Sequence, residues 1–158
     1  MSIRPPGRAV LSAWMLLCAV SATSARTQWQ DTYVKMSIAQ AKWLVARPAA
    51  YDFTISVRCH CSGLAKTPPT FHVEGTLSTP ATPLTPQERE TYARFDTIED
   101  LFDVLRHAVS TANWTPFKFD VQYDPQLSFP VHAEVDPSSS ASDDDVAFDV
   151  TDVKFVKK

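Results

Sequence analysis

The sequence predicts an α+β domain in which a single, mainly antiparallel sheet of about five strands has two helices packed on one face. Three observations predict this order of helix-β-β-helix-β-β-β. Apolar and polar residues alternate over residues 51–61, apolar residues recur at helical spacing over residues 96–110, and short connections join successive strands. Helices that each bury one apolar stripe against a sheet complete such an architecture.

Residues 1–25 have the pattern of a secretory signal peptide. Arg4 and Arg8 precede the uncharged apolar run AVLSAWMLLCAV, and the small residues SATSA follow it. The run is about a dozen residues long, whereas a helix needs roughly 20 to span a bilayer. We therefore expect cleavage after Ala25 and export of residues 26–158 as a single periplasmic or extracellular domain without a stable membrane span. An uncleaved N-terminal anchor is the alternative.

The charge balance of the exported chain bears on its partners. Removal of residues 1–25 leaves 133 residues, which is the usual size of one domain with its own core. It also lowers the number of Lys and Arg from 15 to 13, against 18 Asp and Glu, so the formal charge becomes −5. Nucleic acids and anionic membranes bind clustered basic side chains. We therefore expect no nucleic-acid partner.

The first three elements are a helix and a hairpin. Aromatic and apolar residues at spacings of three and four predict a helix over residues 27–46, and Pro48 ends it. The alternation over residues 51–61 predicts a half-buried strand. After the turn SGLAKTPP, the segment TFHVEGTLS predicts a second strand. Its predicted inward positions are Phe71, Val73, Gly75 and Leu77.

A Pro- and Thr-rich segment separates this hairpin from the next helix. The sequence TPATPLTPQERETYARF predicts a surface loop over about residues 79–95, with a short helical piece over residues 87–94. The following segment, DTIEDLFDVLRHAVS, has the apolar stripe of a helix. Asp96 is the predicted N-cap, because Glu99 lies three residues later as in a capping box.

Three strands are predicted to close the chain. They are FKFDVQYD, VHAEVD and VAFDVTDVKFVKK. The alternation changes phase between Val150 and Val153 in the last of them, which indicates a bulge. The first alternates cleanly, with predicted inward residues Phe117, Phe119, Val121 and Tyr123.

Three segments together resemble the bacterial domain of unknown function 6174. AKWLVARPAAYDFTISVRCHC resembles the W…Y-x-F/Y…C-x-C opening of that family, TIEDLFDVL its helix, and VQYDPQLSFPVHAEVD its Y-D-P…G-Y-P…D segment. The resemblance covers about residues 43–155 and implies a small exported bacterial domain, often membrane-anchored or lipid-linked, without an assigned activity. Where the family has Gly-Tyr-Pro, this chain has Ser128-Phe129-Pro130. If that glycine serves a turn with positive φ, we expect backbone strain at Ser128.

The segment Cys59-His60-Cys61 is the strongest candidate for chemistry. On a strand, the two thiols point to one face and the imidazole to the other, so the three side chains cannot converge on one metal ion. His72 and His132 are also predicted on the polar faces of their strands, away from the cysteines. We therefore expect neither a metal nor another cofactor, and a metal-binding protein is the least favoured alternative.

A structural disulfide between Cys59 and Cys61 is the leading hypothesis. Residues two apart on a flat strand lie roughly 6.6 Å apart, at the upper edge for a disulfide, so the chain must bend at the strand end, which Ser62-Gly63 would permit. Two reduced, buried thiols are one alternative, and a thiol–disulfide redox protein using the same pair is another. The apolar face disfavours a reactive thiolate, and Arg58 and His60 point away from the sulfurs.

The remaining candidates are weaker and lead to an expected role by elimination. Asp143, Asp144 and Asp145 are contiguous, without the spacing of a calcium loop, and predict a solvated hairpin loop. We expect a non-enzymatic binding or structural domain of the cell envelope, whose partner is an unidentified envelope protein or small ligand. The open sheet face is its predicted interaction surface, represented by Arg58, His60, Lys118 and Gln122, together with Asp52, Thr54 and Asp120.

Overall fold

The computed structural model describes residues 13–111, 118–138 and 145–156, with backbone alone for residues 13–29 and 111. Within these ranges the chain forms three helices and six strands. They are α1 (Ala13–Ala46), β1 (Ala50–Cys59), β2 (Thr70–Glu74), β3 (Leu77–Pro80), α2 (Pro86–Tyr92), α3 (Ile98–Thr111), β4 (Lys118–Tyr123), β5 (Pro130–Asp136) and β6 (Val146–Phe155).

The strands form one antiparallel sheet in the order β3-β2-β1-β6-β5-β4. The α+β class and the single antiparallel sheet are thus confirmed. The predicted counts of about five strands and two helices are wrong, because β3 and α2 are additional elements. The chain reaches β6 last but places it beside β1, so the first and last strands form the centre of the sheet.

The additional strand β3 arises from a tight turn inside the segment TFHVEGTLS. Glu74 pairs with Leu77, so Gly75 and Thr76 form a two-residue hairpin turn, and Gly75 has a φ of +64°. The prediction that Gly75 and Leu77 continue the inward face of one strand is therefore wrong. The turn places Leu77 on the face of Glu74, where its side chain is 75% exposed.

The additional helix α2 lies inside the Pro- and Thr-rich segment, at the position of the predicted helical piece. Thr85 and Glu88 form a capping box, in which each side chain accepts a hydrogen bond from the other residue's backbone N–H. Pro86 occupies the first helical position, where its missing N–H costs no hydrogen bond. Leu84 and Tyr92 are buried, so this segment contributes to the core.

Helix α3 begins one residue later than predicted. The Thr97 hydroxyl accepts the backbone N–H of Asp100 at 3.1 Å, so Thr97 rather than Asp96 is the N-cap. The sequence offers both registers, because an acidic residue lies three positions after each candidate. Burial of Ile98 against the core is consistent with the observed register.

A bulge interrupts the pairing of β6 with β1, as the change of phase in the sequence predicts. Asp52 pairs with Lys154 and Thr54 with Thr151, so two residues of β6 lie opposite Phe53 alone. Asp152 has a φ of +53° at this point.

The turn between β4 and β5 contains Ser128, where backbone strain is expected. Ser128 has a φ of +63°, in the left-handed region that glycine adopts most easily. The Ser128 N–H donates to the Asp124 carbonyl at 2.9 Å, and the Asp124 N–H donates to the Phe129 carbonyl at 2.8 Å. Ser128 therefore adopts the positive φ at which backbone strain is expected.

The core lies between the sheet and helices α1 and α3. Trp43 of α1 is fully buried, with its ring edge-on to Tyr51 at 5.4 Å and to Phe129 at 5.5 Å between centroids. The Glu99 carboxylate of α3 accepts hydrogen bonds from the indole of Trp43 at 3.1 Å and from the guanidinium of Arg47 at 2.5 Å. Side chains of α1 and α3 are therefore joined by polar as well as apolar contacts.

Helix α1 ends before Pro48, as the sequence predicts, but the predicted start at residue 27 is wrong, because the helix begins at Ala13, upstream of the predicted cleavage point. In the part of the chain that the structure describes, no helix is both long and apolar enough to cross a membrane. Residues 1–12 lie outside the described ranges, as do Phe117, Asp143 and Asp144. The signal peptide over residues 1–25 and the inward position of Phe117 stay predictions.

Candidate functional site

The two cysteines lie at the end of the central strand β1. Their Sγ atoms are 2.00 Å apart, which is the distance of a disulfide bond, and their Cα atoms are 5.1 Å apart. Strand β1 ends at Cys59 and the chain bends at His60, so the Cα separation is shorter than on a flat strand. Cys59 packs against the core, whereas Cys61 lies beyond the strand.

Helix α2 packs directly on the segment that follows the disulfide. The Thr91 hydroxyl donates to the Ser62 carbonyl at 2.5 Å. Gly63 has a φ of +81°, and a Cβ at this position would lie 2.7 Å from Cγ of Gln87. Gly63 is thus required both by its backbone conformation and by the close approach of α2.

A guanidinium contacts one of the two sulfurs. Nη2 of Arg94, just beyond the end of α2, donates to Sγ of Cys61 at 2.9 Å. The guanidinium carbon also lies 4.9 Å from the centroid of the Phe95 ring. Residue spacing does not predict this contact, because Arg94 is 33 residues from Cys61 and lies outside any periodic pattern.

The opposite side of the sheet carries the polar residues of the alternating strands. We call this side the open face and define it by the cross-strand pairs that occupy it. Its rows are Asp52 with His72, Thr54 with Thr70 and Thr151, Ser56 with Asp149, His132 and Gln122, Arg58 with Ala147, Glu134 and Asp120, and Lys118 with Asp136.

Ion pairs connect neighbouring strands across the open face. Asp149 contacts both Arg58 at 2.9 Å and His132 at 2.6 Å, so one β6 carboxylate links β1 to β5. Lys118 and Glu134 pair at 2.6 Å between β4 and β5. Two further pairs join a histidine to an aspartate, namely His60 with Asp145 at 3.0 Å and His72 with Asp52 at 2.6 Å.

These contacts hold two carboxyl groups in their ionised form. The hydrogen bond with His132, followed by that from Arg58, lowers the pKa of Asp149 below its ordinary value. The hydrogen bond from Lys118 and the charge of its ammonium lower the pKa of Glu134. The open face therefore presents fixed charges of both signs at neutral pH.

A depression of about 420 Å³ lies at one end of the open face, and we call it the end groove. Three basic or imidazole side chains and three carboxylates surround it, together with short apolar side chains at its floor. Its lining residues are Arg58, His60, Lys118, Glu134, Val135, Asp136, Asp145, Val146 and Ala147.

The structure brings three of the four predicted interaction residues together. Arg58, His60 and Lys118 line the end groove, although they belong to different strands or loops. Gln122 lies on the same face beside His132 but outside the groove. Sequence reasoning missed the role of Asp149, whose central position depends on the pairing of the last strand with the first.

The described residues show no group of three or more His, Cys, Asp or Glu side chains arranged to hold a metal ion. His60 pairs with Asp145 and lies apart from both sulfur ligands, on the polar side of the sheet. The arrangement at the strand end is therefore a sulfur pair beside a cation, and the arrangement on the sheet is a set of ion pairs around a groove.

Comparison with known proteins gives a family but no activity. No curated protein and no solved structure matches the chain. The model of a family of unknown function, DUF6174, matches residues 35–155, which is well over half of the chain and includes both cysteines, Trp43, Glu99 and the end groove. The chain belongs to the DUF6174 family.

Proposed function

We propose that this chain is an exported binding domain of the cell envelope that takes its partner at the end groove of the open face. The observation that carries the proposal is the convergence of Arg58, His60 and Lys118 with three carboxylates around one depression. Export is supported by the signal-like residues 1–25 and by the sulfur pair, since disulfides persist in oxidising compartments.

The charges of the groove define the chemistry of its partner. Lys118 and His60 are each paired with a carboxylate at the groove, and Arg58 is paired with Asp149 beside it. A partner must therefore exchange these ion pairs for its own, so it carries charges of both signs. A polar segment of another envelope protein fits this description, and its binding is expected to weaken as salt screens the charges.

Capture from the producing cell's envelope tests this proposal. We would compare the natural chain with a face variant in which Arg58, His60, Lys118 and Gln122 are all replaced by Ala. The matched control variant carries Lys42→Ala, Lys66→Ala and Arg89→Ala, which remove exposed charges elsewhere in the described chain.

We expect the natural chain and the control variant to retain the same envelope protein, and the face variant to retain at least tenfold less of it. Thermal unfolding of all three chains checks that each is folded. If the face and control variants retain equal amounts of the envelope protein, the open face is excluded as the binding surface.

A further inference from the structure

The two sulfurs at the end of β1 have different surroundings. Cys59 is the last residue of the strand and packs against the core. Cys61 lies beyond the strand, and its Sγ accepts the hydrogen bond from Arg94. Both cysteines are partly buried, but a negative charge that develops on sulfur is stabilised at Cys61 rather than at Cys59.

The cation beside Cys61 is held in place by its own neighbours. Arg94 follows α2, which is fixed to the Cys61–Gly63 segment by the hydrogen bond from Thr91 to Ser62 and by the close contact of Gly63 with Gln87. The adjacent Phe95 is fully buried, and its ring lies under the guanidinium. The contact between Arg94 and Cys61 is thus built by several packed groups.

Arg58 and His60, the basic residues on either side of Cys59, are engaged elsewhere. Arg58 pairs with Asp149 and His60 with Asp145, both on the polar side of the sheet. They do not supply the positive charge that a reactive thiolate requires, which agrees with the sequence-based objection to redox chemistry. Arg94 supplies that charge from a different element.

We propose that Cys59 and Cys61 form a thiol–disulfide exchange site, in which Cys61 is the exchanging sulfur, Cys59 the resolving sulfur, and Arg94 the cation that stabilises the Cys61 thiolate. The substrates are thiols and disulfides of other molecules in an oxidising compartment. This activity goes beyond the proposed binding function and stands independently of it.

The exchange balances without any further co-reactant. In the oxidising direction, a substrate thiolate attacks Sγ of Cys61, the bond between the two cysteine sulfurs breaks, and Cys59 leaves as a thiolate that takes up a proton. A second substrate thiolate then attacks the substrate sulfur of the mixed disulfide, and Cys61 leaves as a thiolate beside Arg94. One protein disulfide and two thiols thus become two cysteine thiols and one substrate disulfide, with transfer of two electrons.

Redox equilibrium with glutathione tests the proposal on the full chain carrying Cys18→Ser, which removes the third cysteine. The fraction of reduced protein is measured by thiol labelling and intact mass across mixtures of reduced and oxidised glutathione. We expect reversible reduction within this range. A pair that stays oxidised in every glutathione mixture and yields to dithiothreitol alone would overturn the proposal.

Arg94 variants separate exchange chemistry from a structural cross-link. Arg94→Gln removes the positive charge, so we expect the equilibrium constant for reduction by glutathione to fall about tenfold, which is about 30 mV for a two-electron couple. The Arg94→Lys variant should have an equilibrium constant for reduction within threefold of that of the natural chain. Arg89→Gln, a control on the preceding helix α2, should leave the constant unchanged, and equal constants for Arg94→Gln and Arg89→Gln would contradict the proposed role of Arg94.

A trapping variant distinguishes the two sources of substrate. Cys59→Ser leaves Cys61 without its resolving partner, so we expect mixed disulfides to accumulate on Cys61 in the producing cell. Intact mass separates adducts with low-mass thiols from adducts with proteins, and either adduct supports exchange at Cys61. Trapping by the matched Cys61→Ser variant to the same extent, or no adduct on either, would overturn the assignment of the exchanging sulfur.

Discussion

The hydroxyl of Tyr51 lies between two groups of helix α3. It accepts the backbone N–H of Ile98 at 3.1 Å and donates to Oε2 of Glu99 at 3.2 Å. Burial is the main cause of a pKa of Tyr51 far above its ordinary value, so the hydroxyl keeps its proton at any physiological pH. A side chain of β1 thus satisfies an N–H of the first turn of α3, which has no partner within the helix.

Removal of this hydroxyl is expected to destabilise the fold. Tyr51→Phe leaves the buried N–H of Ile98 unsatisfied, so the free energy of unfolding should fall by about 1–3 kcal/mol. Chemical denaturation measures it. Tyr123→Phe is the matched control, because Tyr123 stacks its ring on Phe102, and we expect a change within about 0.5 kcal/mol. Equal losses in the two variants would show that the hydroxyl of Tyr51 has no special role.

The stability of the fold should decrease as pH rises from about 4 to about 7. Burial, together with the adjacent Asp100 carboxyl, raises the pKa of Asp96 from 3.8 to about 7. Between these values the folded state holds a proton that the unfolded chain has released, so this stabilisation is complete below about pH 4 and is lost by about pH 7. Asp96→Asn should remove on the order of 1 kcal/mol of this pH dependence.

Urea unfolding at several pH values between these limits measures the effect. The exposed Asp103, which pairs with Arg106, provides the control Asp103→Asn. We expect the control to follow the pH dependence of the natural chain. The assignment would be contradicted if the free energy of unfolding of the natural chain rose over this range and that of the Asp96→Asn variant rose in parallel.

Replacing Ser128, which has a φ of +63°, by glycine should stabilise the protein. A non-glycine residue in the left-handed region costs about 1–2 kcal/mol, and glycine offsets part of that gain by about 0.5–1 kcal/mol of unfolded-state entropy. Ser128→Gly is therefore expected to raise the free energy of unfolding by about 0.5–1 kcal/mol, measured by thermal and chemical unfolding. Ser128→Ala keeps the side-chain penalty and should give no gain, so a gain in both variants would rule out this explanation.

The contact between α2 and the disulfide segment is tested by a pair of glycine variants. Gly63→Ala combines a positive φ with a Cβ placed 2.7 Å from Gln87, whereas Gly75→Ala has a positive φ and open space. We expect Gly75→Ala to cost about 1–2 kcal/mol and Gly63→Ala at least 1 kcal/mol more, because α2 must also shift. Equal costs would show that α2 does not pack on Gly63 in solution.

The sequence predicted the parts of the fold that depend on local periodicity. The alternation over residues 51–59 predicted β1, including the buried face of Phe53 and Ile55. The alternation in the segment TFHVEGTLS led to a wrong prediction at Gly75. A two-residue turn reverses the chain there and places Leu77 on the open face, even though the alternation continues. The N-cap of α3 was also ambiguous, since Asp96 and Thr97 are each followed by an acidic residue three positions later.

The candidate sites were predicted where the alternation of a strand determines the face on which each residue lies. Cys59 and Cys61 were placed together, and Arg58 was assigned to the open face, because strand geometry fixes these positions. The contact of Arg94 with Cys61 and the double contact of Asp149 depend on how distant segments pack. Such contacts have no signature in the spacing of residues along one chain.

Export and the bond between Cys59 and Cys61 underlie both proposals, and one measurement tests them together. The protein is isolated from the producing cell without reductant, and its intact mass is determined. We predict a chain that begins at Arg26 and is lighter by two hydrogens than the mass of its reduced sequence. A chain that retains residues 1–25 inside the cell, or one whose two cysteines are free thiols in the envelope, would contradict the account.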